Sequence, residues 1–548
     1  MNDSLFKENI SKDSQKRKRR KKRSSKPKFI EYTQHQEMLL PPSIEEMIPE
    51  NHVVRTVNKV IETMKLESLM NTYKGGGRSS YSPLMLLKVL IYAYVMKIYS
   101  SRRISKALRE DINFMWLSGM QRPDFRTINN FRSGRLKGVI DKVFSSMIIF
   151  LTDNKYIKLE DYFVDGTKIE ANANRYSYVW SKNTQRYKAM TTKKIKELLK
   201  EIERINQEEE KKYGEEDLEE LGDNTEITSK KIEEQVERLN KIISQIGENS
   251  EEKKKDKNNG KKNRKLKSAA NKLSKKYLPK LRKYEEQQKI EGIRSSYSKT
   301  DKDATFFMNK EKQYRPSYNV IIGTEEQLIV NYSLHQKASE VDKFVPHMKR
   351  LKQVTNGKNP SRAIGDGTYG SEENYDFLKK EKIGSYLKYP GFYQEVTGVA
   401  EKKRFGRINF IYKKEGDKLY CPEGREMSVE RIEEKITENG YKQVNRIYKG
   451  DCRGCKYLSV CSKSARGRTV QLNKKLEKYK WLTKKNLCSP LGLELRKRRN
   501  VDVETVFGDI KQNQGFRRFN LRGLEKVNTE FGLVAMAHNI KKVGAMIN

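Results

Sequence analysis

Cysteine is scarce in this chain, which has 5 cysteines among 548 residues. The N-terminus is polar and then basic, without the apolar core and small-residue cleavage site of a secretory signal. A chain with few cysteines and no export signal is expected in a reducing compartment, where disulfides do not persist. These features predict a cytoplasmic protein without disulfide bonds.

Long apolar runs are also missing. The most apolar stretch, from Leu84 to Met96, is interrupted by Lys88. It is shorter than the roughly 20 apolar residues that a helix needs to cross a bilayer. We therefore expect a buried helix here and no membrane partner.

Acidic residues are the minority charge. The chain has 115 Lys and Arg against 72 Asp and Glu, a formal net charge of +43 and a pI near 9.7. Such an excess favours a polyanionic partner, because basic side chains displace counterions from phosphates. The alternative, which composition alone does not exclude, is a basic structural or ribosome-associated protein. A length of this size predicts three or four domains at about 150 residues each.

The first 150 residues divide into a basic tail and a helical region. Residues 1–45 include KRKRRKKR at 16–23 and are predicted to be a disordered tail, which either contacts the DNA backbone or is merely solvated. Residues 46–150 carry apolar side chains at helical spacing, and Ser82-Pro83 predicts a capped helix start. We expect an all-α DNA-binding domain here.

One helix of this region carries side chains suited to reading bases. The segment RPDFRTINNFRSGRL begins its helix at Asp124, a predicted N-cap. Arginine and asparagine side chains match guanine and adenine edges in the major groove. The alternative is an ordinary solvated helix face. The candidate DNA-binding residues on this helix are Arg126, Asn129, Asn130 and Arg132.

The order of elements after residue 150 predicts an α/β fold. A strand at Asp161–Glu170 is followed by a hairpin at 319–334, a helix, a strand that ends at Asp366, a helix and a short strand near 384–390. This is the order of a ribonuclease-H-like core, in which the first and fourth strands are neighbours. Asp165 and Asp366 are therefore predicted to lie side by side. The core comprises residues 151–184, 293–394 and 496–548.

Two insertions interrupt this core. Residues 185–292 are highly charged, with apolar rows at helical spacing that predict a helical hairpin or coiled coil. Its lysine- and asparagine-rich part, 251–267, is expected to be a flexible linker. The insertion serves either to pair two copies of the chain or as a solvated spacer.

The second insertion, 395–495, contains all five cysteines. One CxxC pair with two further cysteines is half of a strong zinc signal, so a structural zinc ribbon competes with ordinary reduced thiols. The spacing matches no ferredoxin pattern, which disfavours an iron–sulfur cluster. Cys488 stands apart. The candidate zinc ligands are Cys421, Cys452, Cys455 and Cys461.

A third acid joins the two aspartates. Glu504 lies on a predicted helix, and Lys511 follows seven residues later on the same face. Taken singly, each acid has a plain explanation, since Asp-Gly is a common turn and a helix glutamate is commonly a surface group. Three carboxylates that converge form a site for hard divalent cations. In a basic chain, the substrate of such a site is expected to be a phosphodiester.

Four segments resemble the DDE transposases of bacterial insertion sequences, in the branch with a helical N-terminal domain: VDGTKIEANANRYSYVW, SKTDKDATFF, GDGTYGSEENY and VETVFGDIKQNQGFRRFNLRGLEKVNTEFGLVAMAHNIKK. The resemblance covers about 50–180 and 295–548. It implies that Asp165, Asp366 and Glu504 are catalytic and hold two Mg²⁺ ions, for which Mn²⁺ substitutes. It also implies a homodimer that acts on double-stranded DNA, both the element ends and the target.

Members of this family often have an arginine four residues before the catalytic glutamate and a lysine seven residues after it. Lys511 fits this pattern, but position 500 is asparagine. Arg498 or Arg499 is expected to take the arginine's place.

Two rival functions use the same surfaces: a non-catalytic DNA-binding protein descended from a transposase, and another nuclease of this fold, such as a resolvase or restriction enzyme. The basic segment after Glu504 and the N-terminal helical region favour the transposase, which must grip specific DNA ends as well as cut them. The expected location is the bacterial cytoplasm, in association with the nucleoid.

Overall fold

The computed structural model of the chain describes residues 43–73, 80–213, 227–251, 257–308, 312–400, 402–464 and 466–547. The basic run at 16–23 and nearly all of the predicted disordered tail lie outside these ranges. From Ile48 onward, the described chain belongs to one unit.

The N-terminal region is helical, and its start signals are those expected. The Ser82 side chain caps the third helix by accepting a backbone hydrogen bond at 3.4 Å, and Pro83 takes the first helical position. Lys88 lies within this apolar helix because its ammonium group reaches Asn58 at 2.7 Å and Glu62 at 2.6 Å. The helices are α1 (Val53–Thr63), α2 (Glu67–Met70), α3 (Pro83–Val95), α4 (Ser101–Glu110), α5 (Ile112–Leu117), α6 (Phe125–Asn130) and α7 (Ile140–Asp153).

A mixed sheet follows, in which β5 is antiparallel to β1, and β7 and β8 run parallel to β1. Strands β4 and β6 both pair with the outer edge of β5, while β2 and β3 form a separate ribbon. The predicted first strand and the predicted hairpin are confirmed. The carboxyl ends of β1, β6, β7 and β8 meet at one edge of the sheet. The strands are β1 (Asp161–Glu170), β2 (Tyr178–Trp180), β3 (Ser296–Ser298), β4 (Thr305–Met308), β5 (Tyr314–Glu325), β6 (Leu328–His335), β7 (Arg362–Gly365) and β8 (Gly384–Leu387).

Among the described residues between β2 and β3, four helices enclose an apolar core of their own. The prediction of a flexible linker at 251–267 is wrong for its described residues, because a helix begins at residue 257. Leu266, Ala269 and Ala270 give this helix an apolar face that packs into the bundle core. The helices are α8 (Ser181–Tyr213), α9 (Ser229–Glu251), α10 (Lys257–Asn271) and α11 (Leu278–Glu291), and a π-helical segment at Lys272–Tyr277 joins the last two.

The remaining helices follow β6 along the chain. α19 is buried along most of its length and packs between α3 and β6, so it ties the N-terminal helices to the sheet. None of the helices in the described ranges is both long and apolar enough to cross a bilayer. The helices are α12 (Phe344–Val354), α13 (Glu372–Lys380), α14 (Phe392–Val396), α15 (Leu458–Cys461), α16 (Lys474–Cys488), α17 (Pro490–Arg499), α18 (Thr505–Gly508) and α19 (Leu524–Ile547).

A second, antiparallel sheet lies between α14 and α16, in the order β13-β12-β11-β10-β9. The tip of its long hairpin touches the start of α13. Asn439 donates to the Glu373 carboxylate at 2.8 Å, and the Tyr441 hydroxyl donates to Glu372 at 2.9 Å. The strands are β9 (Ile411–Lys413), β10 (Lys418–Tyr420), β11 (Glu426–Ile436), β12 (Lys442–Gly450) and β13 (Thr469–Leu472).

Candidate active site

Asp165 and Asp366 lie on neighbouring strands at the same edge of the mixed sheet. β1 and β7 pair in parallel with Val164 opposite Gly365, so the two aspartates come next on each strand. β7 ends at Gly365, and Asp366 begins the turn that follows. Its carboxylate accepts a hydrogen bond from the Thr368 backbone N–H at 2.9 Å, which fixes the orientation of the side chain.

A close approach of backbone holds this turn against the sheet. At Gly370, an added Cβ would lie 2.4 Å from the carbonyl oxygen of Lys388 and 2.6 Å from the Cα of Tyr389. Both are backbone atoms, so they cannot move away by a change of side-chain rotamer. Only glycine therefore allows the turn after Asp366 to pack on the end of β8.

Glu504 is linked to Asp165 through an arginine. The chain is helical from Pro490 to Asn513 and passes through a π-helical segment at Asn500–Glu504. The Arg499 guanidinium donates to Glu504 at 3.1 Å and forms an ion pair with Asp165, also at 3.1 Å. One side chain thus joins the first and third of the predicted catalytic carboxylates.

The two other basic residues predicted near Glu504 behave differently. Arg498 pairs with Asp161 at 2.8 Å and with Glu326 at 3.1 Å, so it anchors the helix to the start of β1. The Lys511 ammonium donates to the Thr167 hydroxyl, two residues beyond Asp165 on β1. Arg499 and Lys511 therefore contact β1 within two residues of Asp165, whereas Arg498 contacts β1 at its first residue, Asp161.

The electrostatics of the site centre on Asp165. Burial raises the pKa of Asp165; the Arg499 guanidinium and the backbone N–H of Gly166 oppose this rise, whereas the charges of Asp366 and Glu504 add to it. Ionised carboxylates in such proximity repel one another. A cation at this edge of the sheet relieves that repulsion.

A fourth carboxylate, Glu340, lies at the same edge and was missed by the sequence analysis. An added Cβ on Gly166 would fall 2.4 Å from the Glu340 carboxyl group, and the Tyr369 hydroxyl donates to Glu340 at 2.8 Å. Burial raises the pKa of Glu340, and the charges of Asp165 and Asp366 raise it further. No motif marks Glu340, but its place shortly after β6, whose carboxyl end shares this edge, was a usable signal.

The helix predicted to face DNA is only partly exposed. The Asp124 side chain accepts from the Thr127 backbone N–H at 2.7 Å, which confirms the predicted N-cap of α6. The side chains of Arg126 and Asn130 are exposed, and that of Asn129 is half-buried.

Arg132 corrects the prediction for that helix. Its side chain is only 4% exposed and donates to the Tyr99 carbonyl at 2.7 Å and to the Tyr94 hydroxyl at 3.2 Å. It also interacts electrostatically with the buried Glu530 of α19. Arg132 is therefore unable to reach a base edge and instead links the helices around α3.

The cysteines of the second sheet divide as their spacing suggested. Four of them line one cavity of about 30 Å³, whereas Cys488 is exposed at the end of α16. Burial raises the pKa of the Cys461 thiol, Arg468 lowers it, and the other three thiols of the cavity raise it. All five thiols are free. The cavity cysteines are Cys421, Cys452, Cys455 and Cys461.

The donor chemistry of both clusters suits metal ions, carboxylate oxygens for Mg²⁺ and thiolates for Zn²⁺. Throughout the described ranges, no group of three or more His, Cys, Asp or Glu side chains is closed into metal-binding geometry. At the carboxylates, the Arg499 guanidinium fills the space between Asp165 and Glu504.

Two family models match the chain. A model described as "Transposase DDE domain" matches residues 420–544, which include Glu504 and Lys511. A model described as "Transposase domain (DUF772)" matches residues 42–134, from before α1 to the turn after α6. No curated protein matches the chain. Together the two family matches, which cover less than half of the chain, indicate an insertion-sequence transposase of the DDE type.

Proposed function

We propose that this transposase binds the terminal repeats of its element, cuts the DNA there and joins the freed 3′-hydroxyl to target DNA, with Asp165, Asp366 and Glu504 as its catalytic residues. The observation that carries this proposal is the parallel pairing of β1 with β7, which sets the two aspartates side by side, together with the Arg499 contact that brings Glu504 to Asp165. A ribonuclease-H-like core, made of 151–184, 293–394 and 496–548, is the architecture that the strand order supports.

The three carboxylates suit two Mg²⁺ ions, with Mn²⁺ as a substitute. Bound ions of this kind activate a water or hydroxyl nucleophile and neutralise the charge that develops on the phosphate. Asp165 and Glu504 would both hold such an ion only if the Arg499 guanidinium, which contacts both carboxylates, were turned away from them. In that position the planar guanidinium would bind phosphate oxygens with two parallel hydrogen bonds.

The chain's other residues position DNA. The Lys511 side chain contacts Thr167 of β1, two residues beyond Asp165. From there it is suited to bind a phosphate next to the one that reacts. The exposed Arg126 and Asn130 and the half-buried Asn129 of α6 are suited to the element end, within a DNA-binding region that spans 46–150. The excess of basic residues supplies non-specific affinity for the DNA of the nucleoid in the bacterial cytoplasm.

Two copies of the chain are proposed to act together, because each copy carries one set of the three carboxylates and an element has two ends. The mass of the complex on paired ends, measured by light scattering, tests this stoichiometry. One copy per pair of ends would contradict it.

The decisive experiment is Mg²⁺-dependent cleavage and strand transfer by full-length protein on DNA that carries the terminal repeats. We expect Asp366→Asn to reduce both reactions by at least about 1,000-fold while binding of the repeats persists. The matched control is Asp153→Asn, which removes an exposed aspartate at the end of α7 and should leave both reactions unchanged.

Three outcomes would contradict the proposal in different ways. Strand transfer by Asp366→Asn protein would remove Asp366 from the catalytic set. Binding of the repeats without cleavage by the wild type would identify a non-catalytic DNA-binding protein. Cleavage without joining would identify a nuclease of another kind.

A further inference from the structure

Four cysteines from three separate segments of the chain line one small cavity. Cys421 directly follows β10, Cys452 and Cys455 follow β12, and Cys461 is the last residue of α15. All four line the same cavity of about 30 Å³, which is large enough for a single ion or water molecule. Thiols separated by up to 40 positions in the chain thus converge in space.

Two of these segments are tight turns closed by backbone hydrogen bonds, which leave the thiol groups available to bind a common ion. At the first, the Cys421 backbone N–H donates to the Arg425 carbonyl at 3.0 Å, and the Gly424 N–H donates back to the Cys421 carbonyl at 2.9 Å. At the second, the Cys455 N–H donates to the Cys452 carbonyl at 3.2 Å. Each turn is closed by backbone hydrogen bonds and leaves its side chains for another partner.

The surroundings suit negatively charged sulfur. Arg425 and Arg468 both line the cavity. The Arg468 backbone N–H donates to the Cys452 sulfur at 3.5 Å, and its guanidinium donates to the Cys461 carbonyl at 3.1 Å. Two acids, Glu423 and Asp451, also line the cavity, but they are paired with Arg404 and Arg453. Four thiolates around one divalent cation carry two net negative charges, which Arg425 and Arg468 offset.

The sheet that carries the cysteines has little else to hold it at this end. β11 is exposed along most of both faces, and the described part of the connection 451–468 contains only the four-residue α15. A core of this size contributes little stability, and small cores commonly depend on disulfides or a structural metal. The buried side chains of this core are Phe410, Leu419, Met427, Tyr448, Val470 and Leu472.

We propose that Cys421, Cys452, Cys455 and Cys461 bind one structural zinc ion, which holds the cysteine-bearing turns of the second sheet together. Binding requires the thiol side chains to rotate toward the cavity, because the four sulfur atoms do not stand in coordinating geometry. All four cysteines are only partly buried. The site is independent of the catalytic carboxylates and goes beyond the proposed chemistry on DNA.

The first test is the zinc content of full-length protein purified under reducing conditions with zinc supplied. We expect about one equivalent of zinc per chain in the wild type, as in other four-cysteine sites. The double variant Cys452→Ser, Cys461→Ser should lose it. Cys488→Ser is the matched control, because Cys488 is exposed and outside the cavity, and it should retain a full equivalent. Less than about half an equivalent in the wild type, or equal zinc in all three proteins, would overturn the proposal.

A second measurement uses the wild type alone, so it tests the proposal even if the double variant fails to fold. Zinc is replaced with Co²⁺, whose tetrahedral thiolate complexes absorb strongly in the visible range, and thiol alkylation is followed with and without a chelator. We expect this absorption, and four of the five thiols should react only after the chelator is added. A spectrum without thiolate bands, disulfides among these cysteines, or iron in place of zinc would each overturn the proposal.

Discussion

The Arg499 guanidinium contacts the Glu504 carboxylate at 3.1 Å although the two residues are five positions apart. An α-helix brings residues three or four apart onto one face, so Asn500 would be the α-helical partner of Glu504. The segment Asn500–Glu504 is π-helical, and its hydrogen bonds run to the fifth residue. The π turn thus places Arg499 at the site and leaves Asn500 exposed.

This geometry predicts unequal effects at adjacent positions. Arg499→Ala should lower strand transfer by about 10- to 100-fold, because hydrogen bonds to charged groups contribute about 1.5–3 kcal/mol. Asn500→Ala should leave strand transfer unchanged, since its side chain faces solvent. The double variant Arg499→Ala, Asn500→Arg should remain as impaired as Arg499→Ala. Recovery of strand transfer in this double variant would show that the segment adopts α-helical register in the working enzyme.

The sequence predicted the elements that depend on local pattern. The strand at Asp161–Glu170, the hairpin that follows and the caps at Ser82 and Asp124 all depend on neighbouring residues, and all are found. The pairing of β1 with β7 was predicted by matching the element order to a ribonuclease-H-like topology, in which these strands are neighbours. For this reason the proximity of Asp165 and Asp366 could be predicted from the sequence.

Features that depend on residues far apart in the chain could not be predicted from the sequence. The π turn before Glu504 changes which arginine reaches the site, and no local residue pattern marks it. Arg132 looks like a surface residue until α19 brings the buried Glu530 towards it. The charged strand β11 lacks the apolar alternation that identifies a strand, because most of both its faces are exposed.

Arg132 and Arg126 offer a second test on the proposed DNA-binding region. Arg132→Ala should lower the free energy of unfolding by about 3 kcal/mol or more, because it leaves the buried Glu530 without its nearby positive charge. Arg126→Ala should change it by less than about 0.5 kcal/mol, because Arg126 is exposed. Urea unfolding measures both. If Arg132→Ala protein were as stable as wild type and weaker only in DNA binding, Arg132 would be a DNA contact after all.

The Gly166–Glu340 contact predicts a non-additive pair. Gly166→Ala should cost about 1–2 kcal/mol of stability, because its new methyl group displaces the Glu340 carboxylate. In a Glu340→Ala background the same change should cost close to nothing, since the displaced group is gone. The coupling energy from urea unfolding of the four proteins decides. Equal costs in both backgrounds would show that Glu340 lies elsewhere in solution.

A histidine network beneath the site predicts a pH-dependent stability. The Ser333 hydroxyl lies 2.8 Å from ring nitrogens of both His335 and His347, and the Tyr162 hydroxyl lies 2.6 Å from His347. Burial, with Lys343 as a second cause, lowers the pKa of His335 to about 4. Burial also holds the pKa of His347 well below its ordinary value, and the charge of His335 lowers it further.

The sign follows from proton linkage. An unfolded histidine has a pKa near 6.5, so between about pH 4 and 6.5 the unfolded chain binds more protons than the folded one, and stability falls as pH falls. For His335 the loss of stability is on the order of 3 kcal/mol across this window.

Buried carboxylates with raised pKa values, such as Asp165 and Glu530, act in the opposite direction. The informative quantity is therefore the difference between wild type and His335→Gln, a variant that keeps a hydrogen-bonding group but does not titrate. Urea unfolding from pH 4 to pH 8 should show that difference shrink as pH falls below 6.5, and a difference independent of pH would mean that His335 titrates normally in the folded protein.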